Sequence, residues 1–221
     1  MVQENRAFLA EAVTWAAGQG IGQFLDLGAG LPATPAVHQI AQEVRPSARV
    51  AYVDNDPVVL AHARALLAAP GVAAVTADLR DPAAVLADPD LRAVIDPAES
   101  ACVILGAVLH FLDAGTARDV TAGYARLVAP GSCLVISCAS FDEETLAKRL
   151  AAEYTAGPFV NHTREDVVSF FAGLDLVGPG VTEAQTWRAW RPEPVLRRRE
   201  GHVLAGVARA RIRGLQRAPA Q

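Results

Sequence analysis

Residues 21–32, IGQFLDLGAGLP, decide the fold of this chain. The first half of the stretch is apolar enough for a buried strand, and the second half is a glycine turn. A turn of this kind needs glycine, because only a residue without a side chain readily adopts positive φ and lets a ligand approach the backbone. Thr34 as an N-cap and Pro35 at the first helical position then predict a helix. Strand, turn and helix together predict a cradle for a nucleotide-type ligand.

The alternation of apolar strand and helix continues along the chain in both directions. Strands are predicted at 22–27, 49–54, 72–78, 101–105, 133–137, 174–177 and 202–208. Helices are predicted at 4–18, 116–128, 145–154 and 164–171, and others begin near Thr34, Asp56 and Asp81. Apolar strands without alternation, separated by helices, indicate an α/β fold with a mostly parallel sheet covered by helices on both faces.

Length and composition predict one domain over residues 1–221. A chain of 221 residues, of which 52% are hydrophobic, can bury one large hydrophobic core but is too short for two domains with well-buried cores. The N-terminal helix takes up about residues 1–20, and residues 210–221 form a basic tail that we expect to be solvated and disordered. The net charge of −4 argues against a nucleic-acid partner, which would require a basic face.

The cysteines and the lack of an apolar run of membrane-spanning length indicate the cellular compartment of the protein. Cys102, Cys133 and Cys138 lie in or beside apolar runs rather than at metal-ligand spacing, which predicts reduced core thiols and no metal site. No run approaches the ~20 apolar residues of a membrane span, and the N-terminus has no secretory pattern. We therefore expect a cytoplasmic monomer or homodimer that does not bind membranes.

Asp26 discriminates among the ligands that such a cradle can hold. The sequence from Gly28 to Ala33 fits the dinucleotide pattern G-x-G-x-x-A, which keeps an NAD-dependent oxidoreductase open as an alternative. A carboxylate two residues before the first glycine, however, would repel a pyrophosphate. The same charge attracts a cationic ligand, and S-adenosylmethionine carries both an ammonium and a sulfonium. Asp26 therefore favours S-adenosylmethionine as the cofactor.

Two further acids follow the next two predicted strands. Because ligands bind beyond the carboxyl ends of parallel strands, Asp26, Asp54 and Asp78 should converge on one crevice. Asp54 can accept hydrogen bonds from both ribose hydroxyls. Asp78 can accept from the adenine amino group, while the Leu79 amide donates to the ring. The alternative for each acid is an ordinary cap or loop carboxylate.

These residues carry a resemblance to known methyltransferases. The sequence is similar to the ordered motifs of class I S-adenosylmethionine-dependent methyltransferases at 26–30, 53–54, 78–79 and 104–111. More narrowly, it resembles an S-adenosyl methyltransferase family long catalogued as a domain of unknown function, at 24–32, 37–38, 52–60 and 108–111. The run YVDNDPVVL at 52–60 is highly specific, whereas the glycine turn is not. The similarity extends from residue 5 to the final predicted strand.

The resemblance implies a Rossmann-like sheet of seven strands with the last strand antiparallel. It also implies cofactor contacts from Gly28, Ala29, Gly30 and Asn55 besides the acids, and it places the Gly106 and Ala107 backbone against the methionine end of the cofactor. Members of the narrower family usually carry an additional N-terminal segment containing Gly-Gly-Lys-Asp. This chain begins after it, so we expect a lid or part of the acceptor pocket to be missing or replaced.

The methyl acceptor is harder to place from sequence. His110 follows the fourth predicted strand and is the best candidate for a catalytic base, although it could equally be a packing residue that shields the cofactor. We expect substrate contacts from His162, and from Trp187 and Trp190, which could instead cover the sheet edge. Arg6 could reach the cofactor carboxylate from the first helix.

The sequence thus predicts S-adenosylmethionine-dependent methyl transfer to a small molecule, with the acceptor unassigned. One alternative is an S-adenosylmethionine-binding protein with a sensing or non-methylating role, because neither the acids nor the glycine turn performs the transfer. The less favoured alternative is the NAD-dependent oxidoreductase.

Overall fold

The computed structural model describes residues 1–141, 159–187 and 201–210. Seven α-helices are described, namely α1 Val2–Gly18, α2 Val37–Val44, α3 Pro57–Leu66, α4 Pro82–Ala87, α5 Pro89–Arg92, α6 Ala114–Leu127 and α7 Arg164–Ser169. Eight strands are described, namely β1 Gln23–Leu27, β2 Arg49–Asp54, β3 Val72–Thr76, β4 Cys102–Gly106, β5 Cys133–Phe141, β6 Asp175–Leu176, β7 Thr182–Glu183 and β8 Gly201–Arg209. Short 3₁₀ helices cover Leu109–Phe111 and Ala184–Thr186.

The strands form one sheet in the order β3-β2-β1-β4-β5-β8-β6. The first five strands are parallel, and β8 runs antiparallel to β5 from Cys133 opposite Arg209 to Phe141 opposite Gly201. The predicted Rossmann-like class I methyltransferase fold, with its antiparallel last strand, is confirmed. The sheet differs from the expected seven strands by β7, a two-residue strand that pairs with β8 outside the main order.

The strands of this sheet are apolar on both sides, so helices must cover both faces of the sheet. On one face α1, α2 and α3 pack through Phe8, Ala41 and Leu60. On the other face α4 to α7 pack, with Leu91 and Tyr124 among the residues of that core. The three cysteines are buried and free, consistent with core thiols. Helices on both faces leave the carboxyl ends of the strands as the open edge where ligands bind.

Several element boundaries differ from the sequence prediction, and three of these differences bear on the site. The predicted cap at Thr34 is wrong, because α2 begins at Val37 and the Gln39 side chain accepts from the Ala36 amide at 2.8 Å. Strand β3 ends at Thr76, so Asp78 lies in the following loop. Strand β5 is four residues longer than predicted because β8 pairs along its whole length. That extension brings Phe141 to the ligand-binding edge.

The helix predicted at 145–154 and most of the predicted tail lie outside the described residues. Within the described residues, none of the helices combines the length and apolar character that crossing a membrane requires.

Candidate functional site

The glycine turn after β1 contains two glycines with different tasks. Gly28 and Gly30 both have positive φ, 67° and 62°. A Cβ atom at Gly28 would lie 2.3 Å from Val108 Cγ2, whereas one at Gly30 would have no neighbour within 4 Å. Gly28 is therefore required for packing against the chain after β4. Gly30 leaves open space on the ligand side of the turn.

Asp54 fixes the shape of the turn from the end of β2. One carboxylate oxygen accepts from the Gly30 amide at 2.9 Å, and the other accepts from the Asp56 amide at 2.9 Å. The Gly28 amide donates to Val53 O at 2.8 Å. Each carboxylate oxygen retains a further acceptor site. Asp54 can thus hold the turn and receive ligand hydroxyls at the same time.

Asp26 lines a cavity of about 370 Å³ together with Arg6 from α1. Burial and, secondarily, the nearby Asp54 carboxylate raise the pKa of Asp26 to about 7. Ionised Asp26 is therefore costly in this position unless a positive charge comes close to it. The residue has the electrostatic character expected for the binding of a cationic group.

A second cavity, of about 620 Å³, adjoins the first along the glycine turn. We call the two cavities together the cofactor crevice. Nine of the eleven predicted cofactor residues line the larger cavity, namely Gly28, Ala29, Gly30, Asp54, Asn55, Asp78, Leu79, Gly106 and Ala107. The other two, Arg6 and Asp26, line the smaller one, which also includes Gly28, Ala29, Gly30 and Gly106. The structure thus brings all eleven residues to one continuous crevice.

Asp78 has a partner that the sequence analysis missed. Arg80 Nε lies 2.9 Å from both carboxylate oxygens of Asp78, and Arg80 Nη2 lies 2.5 Å from Oδ2. These hydrogen bonds hold the pKa of Asp78 below its ordinary value. Arg80 also lines the cofactor crevice. The spacing of the two residues in Asp-Leu-Arg was the available signal for this pair.

An apolar cavity of about 320 Å³ lies beside the crevice, and we call it the acceptor cavity. It is lined by Met1, Val2, Asn5, Arg6, Ala107, His110, Ala139, Phe141, Phe159 and Val203. Three of these residues form an aromatic wall: the His110 and Phe159 ring centroids are 5.1 Å apart, and those of Phe159 and Phe141 are 5.4 Å apart. Ala107 lines this cavity and the crevice alike.

His110 is only 3% exposed, and its Nδ1 is buried and has no hydrogen-bond partner within the described ranges. Burial and the neighbouring His162 lower the pKa of His110 to about 4. The imidazole is therefore neutral near pH 7 and can accept a hydrogen bond. It is a weak base compared with an ordinary histidine.

The structure does not bring two of the predicted substrate residues to the acceptor cavity. Trp187 is 0% exposed and packs edge-to-face on Phe8 of α1, with ring centroids 5.2 Å apart, because the 3₁₀ helix Ala184–Thr186 directs it into the core. His162 is 1% exposed, and its Nε2 lies 3.0 Å from Leu109 O, so it ties its loop to the chain after β4. Neither residue lines the acceptor cavity. Trp190 lies outside the described residues.

Asn5, which lines both the crevice and the acceptor cavity, and Ser137, which is buried behind them, form a contact that the sequence analysis missed. Ser137 Oγ donates to Asn5 Oδ1 at 2.6 Å and accepts from the Ala107 amide at 3.0 Å. This link joins α1 to the end of β4, where Ala107 has a φ of 55°. The two side chains are 132 positions apart, and no local pattern signals their contact.

Comparison with known proteins agrees with a site for S-adenosylmethionine. Residues 1–211 match the model of a protein family described as S-adenosyl methyltransferase. A Thermobifida fusca protein, provisionally assigned as a methyltransferase, has 38% identity and a TM-score of 0.83 over 95% of this chain and 81% of its own. A DUF574 family protein from Streptomyces avermitilis has 36% identity and a TM-score of 0.85 over 94% and 82%.

More distant structures share the fold alone. Geranyl diphosphate C-methyltransferase from Streptomyces coelicolor, crystallised with Mg²⁺, geranyl diphosphate and S-adenosyl-L-homocysteine, has 14% identity and a TM-score of 0.61 over 91% of this chain and 77% of its own. No curated protein matches the sequence.

Proposed function

The chain belongs to the S-adenosyl methyltransferase family and is an S-adenosylmethionine-dependent methyltransferase; from this premise we propose that its methyl acceptor is a small molecule bound in the acceptor cavity. The observation that carries the proposal is the position of Ala107, which lines the cofactor crevice on one side and the acceptor cavity on the other. An acceptor in that cavity would lie next to the methionine end of the crevice. The three buried, free cysteines support the proposal that the reaction takes place in the cytoplasm.

The residues of the crevice fit S-adenosylmethionine. We propose that Asp54 and Asp78, which line the crevice, accept hydrogen bonds from the adenosine part, and that the Leu79 amide donates to the ring. Asp26 favours the ammonium, because a positive charge there relieves the cost of its buried carboxylate. We propose that Arg6, which lines the same cavity, holds the carboxylate of the methionine part. The bound cofactor supplies an electrophilic methyl group on a sulfonium.

Methyl transfer needs little chemistry from the protein beyond alignment. The acceptor atom must approach in line with the bond that breaks, so its position is the main contribution of the enzyme. The aromatic wall and the Ala107 backbone restrict where an acceptor can lie. We propose that His110 contacts the acceptor and takes up a proton that the acceptor loses. The Asn5 and Ser137 link keeps α1 against this point.

The experiment combines calorimetry with a screen of small-molecule acceptors for release of S-adenosylhomocysteine. We expect one S-adenosylmethionine bound per chain, and turnover with at least one acceptor. Ala139→Phe should fill the cavity and abolish turnover while leaving cofactor affinity unchanged, because Ala139 lines the acceptor cavity but not the crevice. The matched control is Ala172→Phe, at an exposed position elsewhere. Cofactor binding without any turnover would support the sensing alternative instead.

A further inference from the structure

The charges around the acceptor cavity restrict what it can hold. Among the described residues that line it, Arg6 has the only formally charged side chain, and none has a carboxylate. The amino group of Met1 already pairs with Glu4 at 3.1 Å. Arg6 is exposed and also faces the cavity that contains Asp26, where the cofactor carboxylate is proposed to bind. Apart from Arg6, none of the described lining residues could pair with a charged acceptor, and a charge that loses its hydration without such a partner is costly in an apolar site.

The aromatic wall restricts the shape of the acceptor. Hydrogen bonds to the backbone hold the aromatic wall in place. The Val160 amide donates to His110 O at 2.7 Å. The Asn161 side chain pairs with both the amide and the carbonyl of Phe141, at 2.9 Å each. At Gly201, a Cβ atom would lie 2.5 Å from the Phe141 ring, so the absence of a side chain is what admits this ring. A wall of fixed rings favours a flat aromatic ligand, because stacked and edge-on ring contacts are attractive.

His110 restricts the polar group of the acceptor. Its imidazole lines the cavity, and no described residue bonds its Nδ1. Burial keeps the pKa of His110 well below neutrality, so the ring is available as a hydrogen-bond acceptor near pH 7. A neutral imidazole has one unprotonated ring nitrogen, which can accept a hydrogen bond from an O–H or N–H group of a ligand in the cavity.

We propose that the methyl acceptor is an uncharged aromatic compound of one or two rings, whose hydroxyl or ring-bound amino group donates a hydrogen bond to His110. The proposal rests on the function proposed above and defines its substrate class. A lone pair of that oxygen or nitrogen forms the new bond to the methyl carbon, and the electron pair of the broken C–S bond remains on sulfur. The proton of the attacking group passes to His110 and then to solvent. The cavity of about 320 Å³ lies at the lower end of the range for small-molecule sites, which suits one or two rings.

The test measures the affinities of four matched probes for the 221-residue chain saturated with S-adenosylhomocysteine. The probes are 2-naphthol, naphthalene, 2-naphthoate and the cation of 2-(aminomethyl)naphthalene. We expect 2-naphthol to bind at least about tenfold more tightly than either charged probe. It should bind about fivefold more tightly than naphthalene, the usual gain from one neutral hydrogen bond.

Two variants separate the hydrogen bond from the shape of the cavity. His110→Phe should remove the fivefold advantage of 2-naphthol over naphthalene while keeping naphthalene bound, and Ala139→Phe should weaken all four probes. A charged probe that binds as tightly as 2-naphthol, or no binding by any probe, would overturn the proposal. So would an advantage that persists in His110→Phe. Saturation with S-adenosylhomocysteine is measured first, so a protein that fails to bind it contradicts the proposed function and is distinguished from a wrong acceptor class.

Discussion

The cofactor crevice and the acceptor cavity share a wall but are built in opposite ways. The crevice takes its polar groups from the ends of adjacent parallel strands, where Asp26, Asp54 and Asp78 converge. The acceptor cavity takes apolar groups from α1, the end of β5, the loop at Phe159 and strand β8. The crevice is a site for charges and hydrogen bonds, and the cavity is a site for shape and burial. Substitutions of the three acids should therefore act first on the affinity for the cofactor.

The largest effect is expected for Asp54→Ala. Loss of its carboxylate removes the anchor of the Gly30 amide as well as the predicted ribose contacts, so S-adenosylmethionine should bind at least about a hundredfold more weakly. Calorimetry measures the change.

Asp88→Ala is the matched control, because Asp88 also accepts from two backbone amides, those of Asp90 and Leu91, at 2.9 and 3.1 Å. It lies outside both sites. That variant should lose some stability but no cofactor affinity. Equal losses of affinity in the two variants would mean that Asp54 acts only through the fold.

An intermediate effect is expected from the titration of Asp26. Because the pKa of this residue in the free protein is about 7 and only its ionised form attracts the ammonium, S-adenosylmethionine affinity should rise about eightfold between pH 6 and 7.5. In Asp26→Asn the affinity should not vary over this range. It should be about tenfold weaker than the wild type at pH 7.5. A wild-type affinity independent of pH would contradict the assignment.

Ionisation of Asp26 should have the opposite effect on the stability of the fold: it favours cofactor binding but destabilises the folded chain. Its pKa in the folded chain lies above its ordinary value of 3.8, so folding favours the protonated form. The cost of ionisation increases as the pH rises from about 4 to about 7 and remains above that. Without cofactor, Asp26→Asn should therefore have a higher melting temperature than the wild type at pH 8. Each kcal/mol gained corresponds to roughly 2–4 °C for a chain of this size.

The smallest effect is expected for Arg80→Ala. Removal of the guanidinium exposes the Asp78 carboxylate and makes the crevice more negative, so S-adenosylmethionine, which has a net positive charge, should bind about twofold more tightly at low salt. S-adenosylhomocysteine has no net charge and serves as the internal control. A similar change for both ligands would mean that Arg80 contacts the adenosine part directly.

The difference between the crevice and the acceptor cavity also explains which site residues could be predicted from the sequence. Asp26 lies next to the end of β1 and Asp54 is the last residue of β2, so the two acids meet because ligands bind beyond the carboxyl ends of adjacent parallel strands. The acceptor cavity depends on distant pairings. Phe141 reaches it only because β8 extends β5, and the Asn5 contact with Ser137 spans the chain. Trp187 is predicted to reach the crevice because the segment that joins the last two predicted strands should emerge on the cofactor side. The structure instead buries its ring in the core, where the burial of so large a side chain is strongly favourable.

The shared wall of Asn5, Arg6 and Ala107 has a thermodynamic consequence for turnover. Ligands that touch one wall from two sides are coupled, and the coupling is reciprocal. Whatever factor the bound cofactor adds to acceptor affinity, the acceptor adds to cofactor affinity. The same reciprocity holds for the two products: the factor by which the methylated compound changes the affinity for S-adenosylhomocysteine is also the factor by which S-adenosylhomocysteine changes the affinity for the methylated compound. Inhibition by the two products together should therefore differ from the effect expected of two independent ligands.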